Sequence, residues 1–130
     1  MMDGAAKTDR DAVHDAAGAY CIGIHTADVD LFRTLCHDSF HMSARAGSGA
    51  TSIWDKAAYL DRVGGRAAFL GAPSYEILNV DVAGGEIARV HLWVDVPPRR
   101  FEDHLGFVRT DGEWKLLTKV FRTMDGPALD

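Results

Sequence analysis

The sequence predicts an α+β domain in which helices come first and an antiparallel sheet follows. The first observation is that apolar residues recur at helical spacing over the first half of the chain. The second is that, beyond Pro73, apolar residues alternate with polar ones, which is typical of half-buried strands. The third is that glycine and proline pairs divide this second half at regular intervals. Helices followed by a meander of strands favour packing of the helices on one face of the sheet.

Length and composition fit one globular domain. The chain has 130 residues, of which 47% are hydrophobic and 25% charged, so we expect a single domain over residues 1–130, with a frayed leader at 1–7 and an ordered core at about 9–123. The net charge is -5 and no basic run exceeds Arg99-Arg100, which argues against a nucleic-acid partner. No apolar stretch is long enough to span a bilayer or to act as a signal segment, so we expect a cytoplasmic protein without a membrane partner.

Three helices are predicted in the first half. The spacing of apolar residues indicates a helix over residues 9–25, with Thr8 and Asp11 as a capping pair. Asp28 opens a short second helix, and Ser52 caps a third over residues 53–63, which Gly64-Gly65 terminates. The two cysteines fall on the apolar faces of the first two helices, so we expect buried free thiols rather than a disulfide.

Five strands are predicted. The alternating stretch "SFHMSAR" indicates a strand over residues 39–45, followed by the flexible loop "AGSGATS". Four more follow at 75–82, 87–96, 100–109 and 113–123. Their connections contain Gly84-Gly85, Pro97-Pro98 and Asp111-Gly112, which are residue pairs suited to turns.

Several stretches carry a resemblance to a known family. These are "DVDLFRTLCHDSF", "YLDRV", "ILNVDVAGGEIARVHLWV" and "FEDHLGFVRTDGEWKLLTKVF". In this order they resemble the nuclear-transport-factor-2-like superfamily and, within it, the lumazine-binding branch. The resemblance implies three N-terminal helices packed on a strongly curved, mostly antiparallel sheet that forms a cone. It also implies a small-molecule ligand, with a flat aromatic compound as one candidate.

Charged residues among the apolar ones of the last two strands predict a pocket lining. On the fourth strand Asp103 shares a face with Phe101, Leu105 and Phe107. A two-residue Asp111-Gly112 turn would place His104 opposite Lys119, whereas a three-residue loop with a glycine bulge would place Asp103 opposite Lys119. We favour the second register, because it pairs opposite charges on one apolar face. The alternative is that the pair is only a structural ion pair at the rim of the cone.

Further ligand-binding candidates surround this pair. Phe121 shares the face of Lys119, and Tyr20 on the first helix can point its hydroxyl into a cone or serve only as a packing residue. Trp93 and His91 share a face of the third predicted strand and are candidates for the concave side, although a Trp on a long strand is also typical of a core or a dimer interface. His41 lies on the first strand, four positions after His37; no third ligand is evident, so we expect neither a metal nor another cofactor.

The residues leave three functions open. The favoured one is a small-molecule-binding domain with an apolar pocket and a few orienting polar groups. The second is an isomerase, dehydratase or cyclase with an acid–base residue in that pocket. The ketosteroid isomerases of the superfamily carry a carboxylate base on the first strand. Here the predicted strand has no acid, Ser43 is the nearest counterpart and His41 the only plausible base.

The third function is structural, a homodimer whose sheet face is the interface. Val90, Leu92 and Val94 alternate along the third predicted strand, and we expect them on the outer face of the sheet. On a monomer they would expose a large apolar patch. We therefore expect a homodimer that forms through this outer face, whichever function applies.

Overall fold

The computed structural model describes residues 7–129, so the first six residues of the expected leader lie outside the described part. Three helices and six strands follow the predicted order of helices first and meander last. Their bounds are α1 Asp9–Thr26, α2 Val29–Leu35, β1 Cys36–Arg45, β2 Thr51–Asp55, α3 Lys56–Gly64, β3 Tyr75–Ala83, β4 Ile87–Val96, β5 Arg99–Thr110 and β6 Glu113–Asp125. The α+β prediction is confirmed.

Local capping residues define the first two helices as the sequence predicts. The Thr8 side chain accepts a hydrogen bond from the backbone N–H of Asp11, and that of Asp28 accepts one from Leu31. Both cysteines are buried and free, as expected.

The start of the third helix differs from the prediction. Residues Thr51–Asp55 form strand β2, which pairs antiparallel with β1, and α3 begins only at Lys56. Asp55, not Ser52, is the cap, since its carboxylate accepts from the N–H of Ala58. The reason is that Thr51, Ile53 and Trp54 favour a pleated conformation and find an open edge of β1 to pair with.

The sheet is curved around the helices in the order β2-β1-β6-β5-β4-β3. All neighbouring strands are antiparallel except β1 and β6, which are parallel. This parallel pair brings the first and last strands together at the centre of the sheet. Helix α1 packs across β3 and β4, and α3 packs against β1, so the core lies between helices and the concave face.

The β5–β6 hairpin has neither of the two predicted registers along its whole length. Asp111 and Gly112 form a two-residue turn with φ of 52° and 80°, and Thr110 pairs with Glu113, so the favoured three-residue loop is wrong. A bulge then shifts the register between Gly106 and Phe107. Beyond it Lys119 lies opposite Leu105, and Asp103 opposite Phe121.

Gly106 is required at this bulge. A Cβ atom added there would lie 2.3 Å from Oγ1 of Thr118. The bulge places the extra residue Leu117 in β6, so the residues of β6 beyond it change faces, whereas β5 alternates without interruption. As a result Lys119 and Phe121 are buried on the same concave side as Asp103.

The faces of β4 are opposite to the prediction. Val90, Leu92 and Val94 are at most 2% exposed and belong to the core under α1. His91 and Trp93 therefore lie on the outer face rather than the concave one. The physical reason is that the aliphatic side chains gain most from burial, whereas the rings of His91 and Trp93 form hydrogen bonds with Glu102 and Glu76 on the outer face. The apolar outer patch expected from these three residues does not exist.

Candidate functional site

A cavity of about 320 Å³ opens at the end of the cone near the C-terminus of α1. Its walls come from α1, β1, α3, the segment after α3, the end of β4 with the β4–β5 turn, the start of β5, β6 and the segment after β6. The lining is mostly apolar, with a few basic side chains. The residues are Ile24, Met42, Tyr59, Arg62, Val63, Arg66, Phe69, Val96, Pro97, Arg99, Phe101, Lys119, Phe121 and Leu129.

Lys119 is the most unusual residue of the lining. Its side chain is 5% exposed, and its Nζ lies 5.3, 5.0 and 4.7 Å from the ring centroids of Tyr20, Tyr59 and Phe121. In the described part of the chain it has neither a hydrogen-bond acceptor nor a carboxylate within 4.0 Å. Burial lowers the pKa of the Lys119 ammonium, and the charge of Asp103 opposes this shift. The ammonium is thus held by ring faces and is free to donate into the cavity.

Asp103 lies behind Lys119 and does not line the cavity. Its side chain is fully buried, and the hydroxyl of Tyr20 donates to its Oδ2 at 2.5 Å, while Oδ1 has no partner in the described structure. Burial raises the pKa of this carboxyl, against the lowering by Lys119 and by the Tyr20 hydrogen bond. The predicted Asp103–Lys119 salt bridge is wrong, because the bulge offsets the two residues and Tyr20 takes the carboxylate instead.

Two further donors of the lining have no partner among the described residues. These are the hydroxyl of Tyr59 and Nη1 of Arg66, both shielded from solvent. The other end of the Arg66 guanidinium is fixed, since Nη2 donates to the Ile24 carbonyl at 2.7 Å and Cζ lies 4.5 Å from the centroid of Phe69. Burial raises the pKa of Tyr59 well above its usual value, so this phenol stays protonated and can donate. Buried donors without partners are rare and call for an explanation such as a ligand.

The structure divides the predicted site residues into three groups. Lys119 and Phe121 line the cavity, and Asp103 and Tyr20 lie directly behind it. Trp93 lies on the outer face, where its indole N–H donates to Glu76 at 3.2 Å, so its predicted place in the pocket is wrong. His41 is exposed and shares the outer face of β1 with Ser43, so neither reaches the cavity.

The first strand offers no base to the cavity. It starts at Cys36, earlier than predicted, and therefore contains Asp38, but that side chain is 99% exposed and pairs with Lys56 at 3.3 Å. The residues of β1 that point inward are apolar, among them Phe40, Met42 and Ala44.

The sequence interpretation missed the basic lining residues Arg62, Arg66 and Arg99 and the phenol of Tyr59. A signal was present for two of them, since Arg62 and Arg66 flank the Gly64-Gly65 helix end that closes one side of the cone. The sequence contains no signal that places Arg99 beside them, because the position of Arg99 depends on how the β4–β5 turn folds over the opening. Within residues 7–129, no cluster of three or more His, Cys, Asp or Glu side chains could hold a metal ion, and no helix is long and apolar enough to cross a membrane.

Comparison with known proteins identifies relatives of the whole fold. The sequence profile of the family described as "Putative lumazine-binding" matches residues 8–122. An NTF-2-like protein of unknown function from Silicibacter pomeroyi DSS-3 has a TM-score of 0.79 at 21% identity, over 86% of this chain and 92% of that chain. A ketosteroid isomerase-like protein from Erwinia carotovora atroseptica SCRI1043 has a TM-score of 0.69 at 14% identity, over 91% and 98%.

A third solved structure widens the range of relatives. It is described as a putative scytalone dehydratase from Novosphingobium aromaticivorans DSM 12444, with a TM-score of 0.65 at 19% identity, over 92% of this chain and 89% of that chain. No curated protein matches the sequence. These three solved structures are below 25% identity, so they show that the fold is NTF2-like, whereas the family match rests on the sequence itself.

Proposed function

The chain belongs to the "Putative lumazine-binding" family of NTF2-like proteins, and from this we propose that it is a small-molecule-binding domain whose cavity takes a flat aromatic ligand. The cavity volume of about 320 Å³ lies at the lower end of the range for small-molecule sites, roughly 300–1,000 Å³. A ring system of one or two fused rings is the size of ligand that suits it.

The observation that carries the proposal is the Lys119 ammonium, which is buried, lines the cavity and has no acceptor in the described structure. Keeping an ammonium in such a place costs free energy unless a partner arrives. A ligand with a carbonyl or anionic oxygen supplies that partner. The ring of Tyr59, whose centroid lies 5.0 Å from the Lys119 Nζ, holds the ammonium at this wall.

The rest of the cavity suits the flat body of such a ligand. Met42, Phe101 and Phe121 contribute apolar or aromatic walls. Phe101 and Phe121 meet edge to face, with centroids 5.2 Å apart, so one wall has a fixed shape. Apolar walls with a few oriented donors are the general composition of a ligand pocket.

The positions of the carboxylates and imidazoles favour binding over acid–base catalysis by either of these groups. Among the described lining residues there is no carboxylate and no imidazole. Asp103 is separated from the cavity and is already bonded to Tyr20, so it does not reach a bound molecule in this arrangement. The open cavity also argues against a fold that serves only dimerisation, which would gain stability from a filled core.

Calorimetric titration with lumazine tests the proposal. We expect saturable binding at one site per chain, and its loss in Val96→Trp, because Val96 lines the cavity, is only partly buried and tolerates a larger side chain that occupies the space. Circular dichroism of the variant controls for folding. Absence of saturable binding for lumazine and for the naphthalene compounds described below, or binding that Val96→Trp leaves unchanged, would contradict the proposal.

A further inference from the structure

The charged residues of the described cavity lining are all basic, although the chain is acidic. The chain has a net charge of -5, yet four of the lining residues are Lys or Arg, and none of the described ones is Asp or Glu. These residues are Arg62, Arg66, Arg99 and Lys119. A cluster of one sign at a concave site raises the local concentration of ions of the opposite sign.

The same four residues lack carboxylate partners in the described part of the chain. Eight of the other ten Lys and Arg residues have a carboxylate oxygen within 4.0 Å. The four that line the cavity have none. Ion pairing is thus the rule for basic residues of this chain, and the exceptions concentrate around the cavity. Their positive charge is left for something that binds there.

The inner guanidinium is already positioned to receive an anion. Nη2 of Arg66 donates to the Ile24 carbonyl and its plane is held by Phe69, so the guanidinium is fixed in the cavity lining, with Nη1 buried and without a partner in the described structure. Arg99 is fixed in the same way, since its Nε donates to the Pro127 carbonyl at 2.8 Å. Arg62 is held by the ring of Trp54, 5.2 Å from its centroid. Side chains that are fixed before binding lose little entropy when a ligand arrives.

We propose that the ligand is a carboxylic acid with an aromatic body, and that its carboxylate is bound by the cluster of Arg62, Arg66, Arg99 and Lys119. This inference rests on the proposed function, since it names the class of compound for the same cavity. A planar carboxylate matches the planar donor pattern of a guanidinium, whereas the apolar lining takes the ring.

The experiment compares 2-naphthoate with 2-naphthamide, which has nearly the same shape but no charge. Calorimetric titration of the full chain at neutral pH should give naphthoate an affinity at least tenfold higher than that of the amide. In Arg66→Gln this ratio should fall below about threefold. In the matched control Arg10→Gln it should stay unchanged, because Arg10 is exposed on α1, fourteen residues or about 21 Å along the helix from Ile24.

Arg66 also bonds to the end of α1, so Arg66→Gln could impair folding as well as binding. A second variant therefore tests the same inference independently. Arg62 is exposed and accepts substitution easily, and Arg62→Gln should reduce the ratio in the same direction. Equal affinities of the two compounds in the unmodified chain, or a ratio that Arg66→Gln and Arg62→Gln both leave intact, would overturn the carboxylate inference and leave the binding function standing. If neither compound nor lumazine binds, the proposed function fails as well.

Discussion

Replacement of Lys119 by Met separates a ligand-binding role from a structural one. Met has a similar length and keeps contact with the rings of Tyr20, Tyr59 and Phe121. The variant loses the attraction between the ammonium and these rings, worth about 2 kcal/mol or more at a desolvated site, and the longer-range attraction to Asp103. It gains sulfur–aromatic contacts of about 0.3–1.5 kcal/mol. It also removes the cost of burying an ammonium without an acceptor, a cost that the lowered pKa of Lys119 reflects.

These contributions nearly cancel for folding but not for binding. We expect the free energy of unfolding to change by about 1 kcal/mol or less in either direction. A ligand oxygen that accepts from Lys119 would lose a charge-assisted hydrogen bond of about 1.5–3 kcal/mol, which corresponds to a ten- to hundredfold loss of affinity. Urea unfolding followed by circular dichroism, and calorimetric titration with lumazine and 2-naphthoate, measure the two quantities on the same protein.

Lys115→Met is the matched control. Lys115 lies on the same strand, but its ammonium donates to the Thr34 carbonyl at 2.8 Å and does not line the cavity. We expect its affinity for both probes to equal that of the unmodified chain. A stability loss of about 3–5 kcal/mol in Lys119→Met, with affinity unchanged, is the signature of a buried charge whose partner matters for folding, and it would refute the reasoning.

Three further predictions follow from the geometry. Because the pKa of Asp103 is raised, the folded chain keeps a proton on this carboxyl above pH 3.8, where the unfolded chain releases it. The contribution of this group to stability is therefore largest below pH 3.8 and falls as the pH rises through the raised pKa. In urea titrations between pH 4 and 7, Asp103→Asn should therefore become progressively more stable relative to the unmodified chain. A difference in unfolding free energy between the two proteins that does not vary with pH would contradict the raised pKa of Asp103. Gly106→Ala should lower the free energy of unfolding by about 1–3 kcal/mol, because the new Cβ would meet Oγ1 of Thr118 at 2.3 Å. Adding Thr118→Ala to this variant should restore most of the loss. If the effects of the two substitutions simply add, this contact is not the cause. A homodimer through the outer face stays a prediction: light scattering at micromolar concentration should give twice the 14.2 kDa chain mass, and Val120→Glu should halve that mass, because Val120 is 58% exposed on this face. A monomer mass for the unmodified chain would rule this out.

The sequence predicts the elements of this fold well because most of their signals are local. Thr8 and Asp28 cap the first two helices as predicted, and the Asp111-Gly112 pair forms the last turn. The start of α3 was mispredicted because Ser52 and Asp55 are both acceptable caps, and only pairing with β1 decides between them.

The candidate site was harder to predict because it depends on offsets between distant segments. The bulge opposite Gly106 changes which residues of β6 face inward, and no feature of β6 alone marks it. Asp103 and Lys119 do lie on one face of the sheet, as predicted, but the hairpin register from which this was predicted does not occur. The outer position of Trp93 depends on a partner, Glu76, that lies on another strand. The basic cluster joins Arg66 and Arg99 from segments that meet only in the folded chain.

The parallel pairing of β1 with β6 has a consequence for how the chain acquires its structure. His41 pairs with Thr118, which follows it by 77 positions, so the centre of the sheet cannot form until nearly the whole chain has been synthesised. Pairings between segments so far apart in sequence require the closure of a long loop and slow the folding reaction. During synthesis on the ribosome, the apolar faces of α1, α2 and the β1–β2 hairpin therefore stay exposed until the later strands have emerged. The strand that carries Lys119 completes the sheet, so the sheet and the proposed ligand site are completed by the same segment, and a ligand that binds there would favour the folded chain.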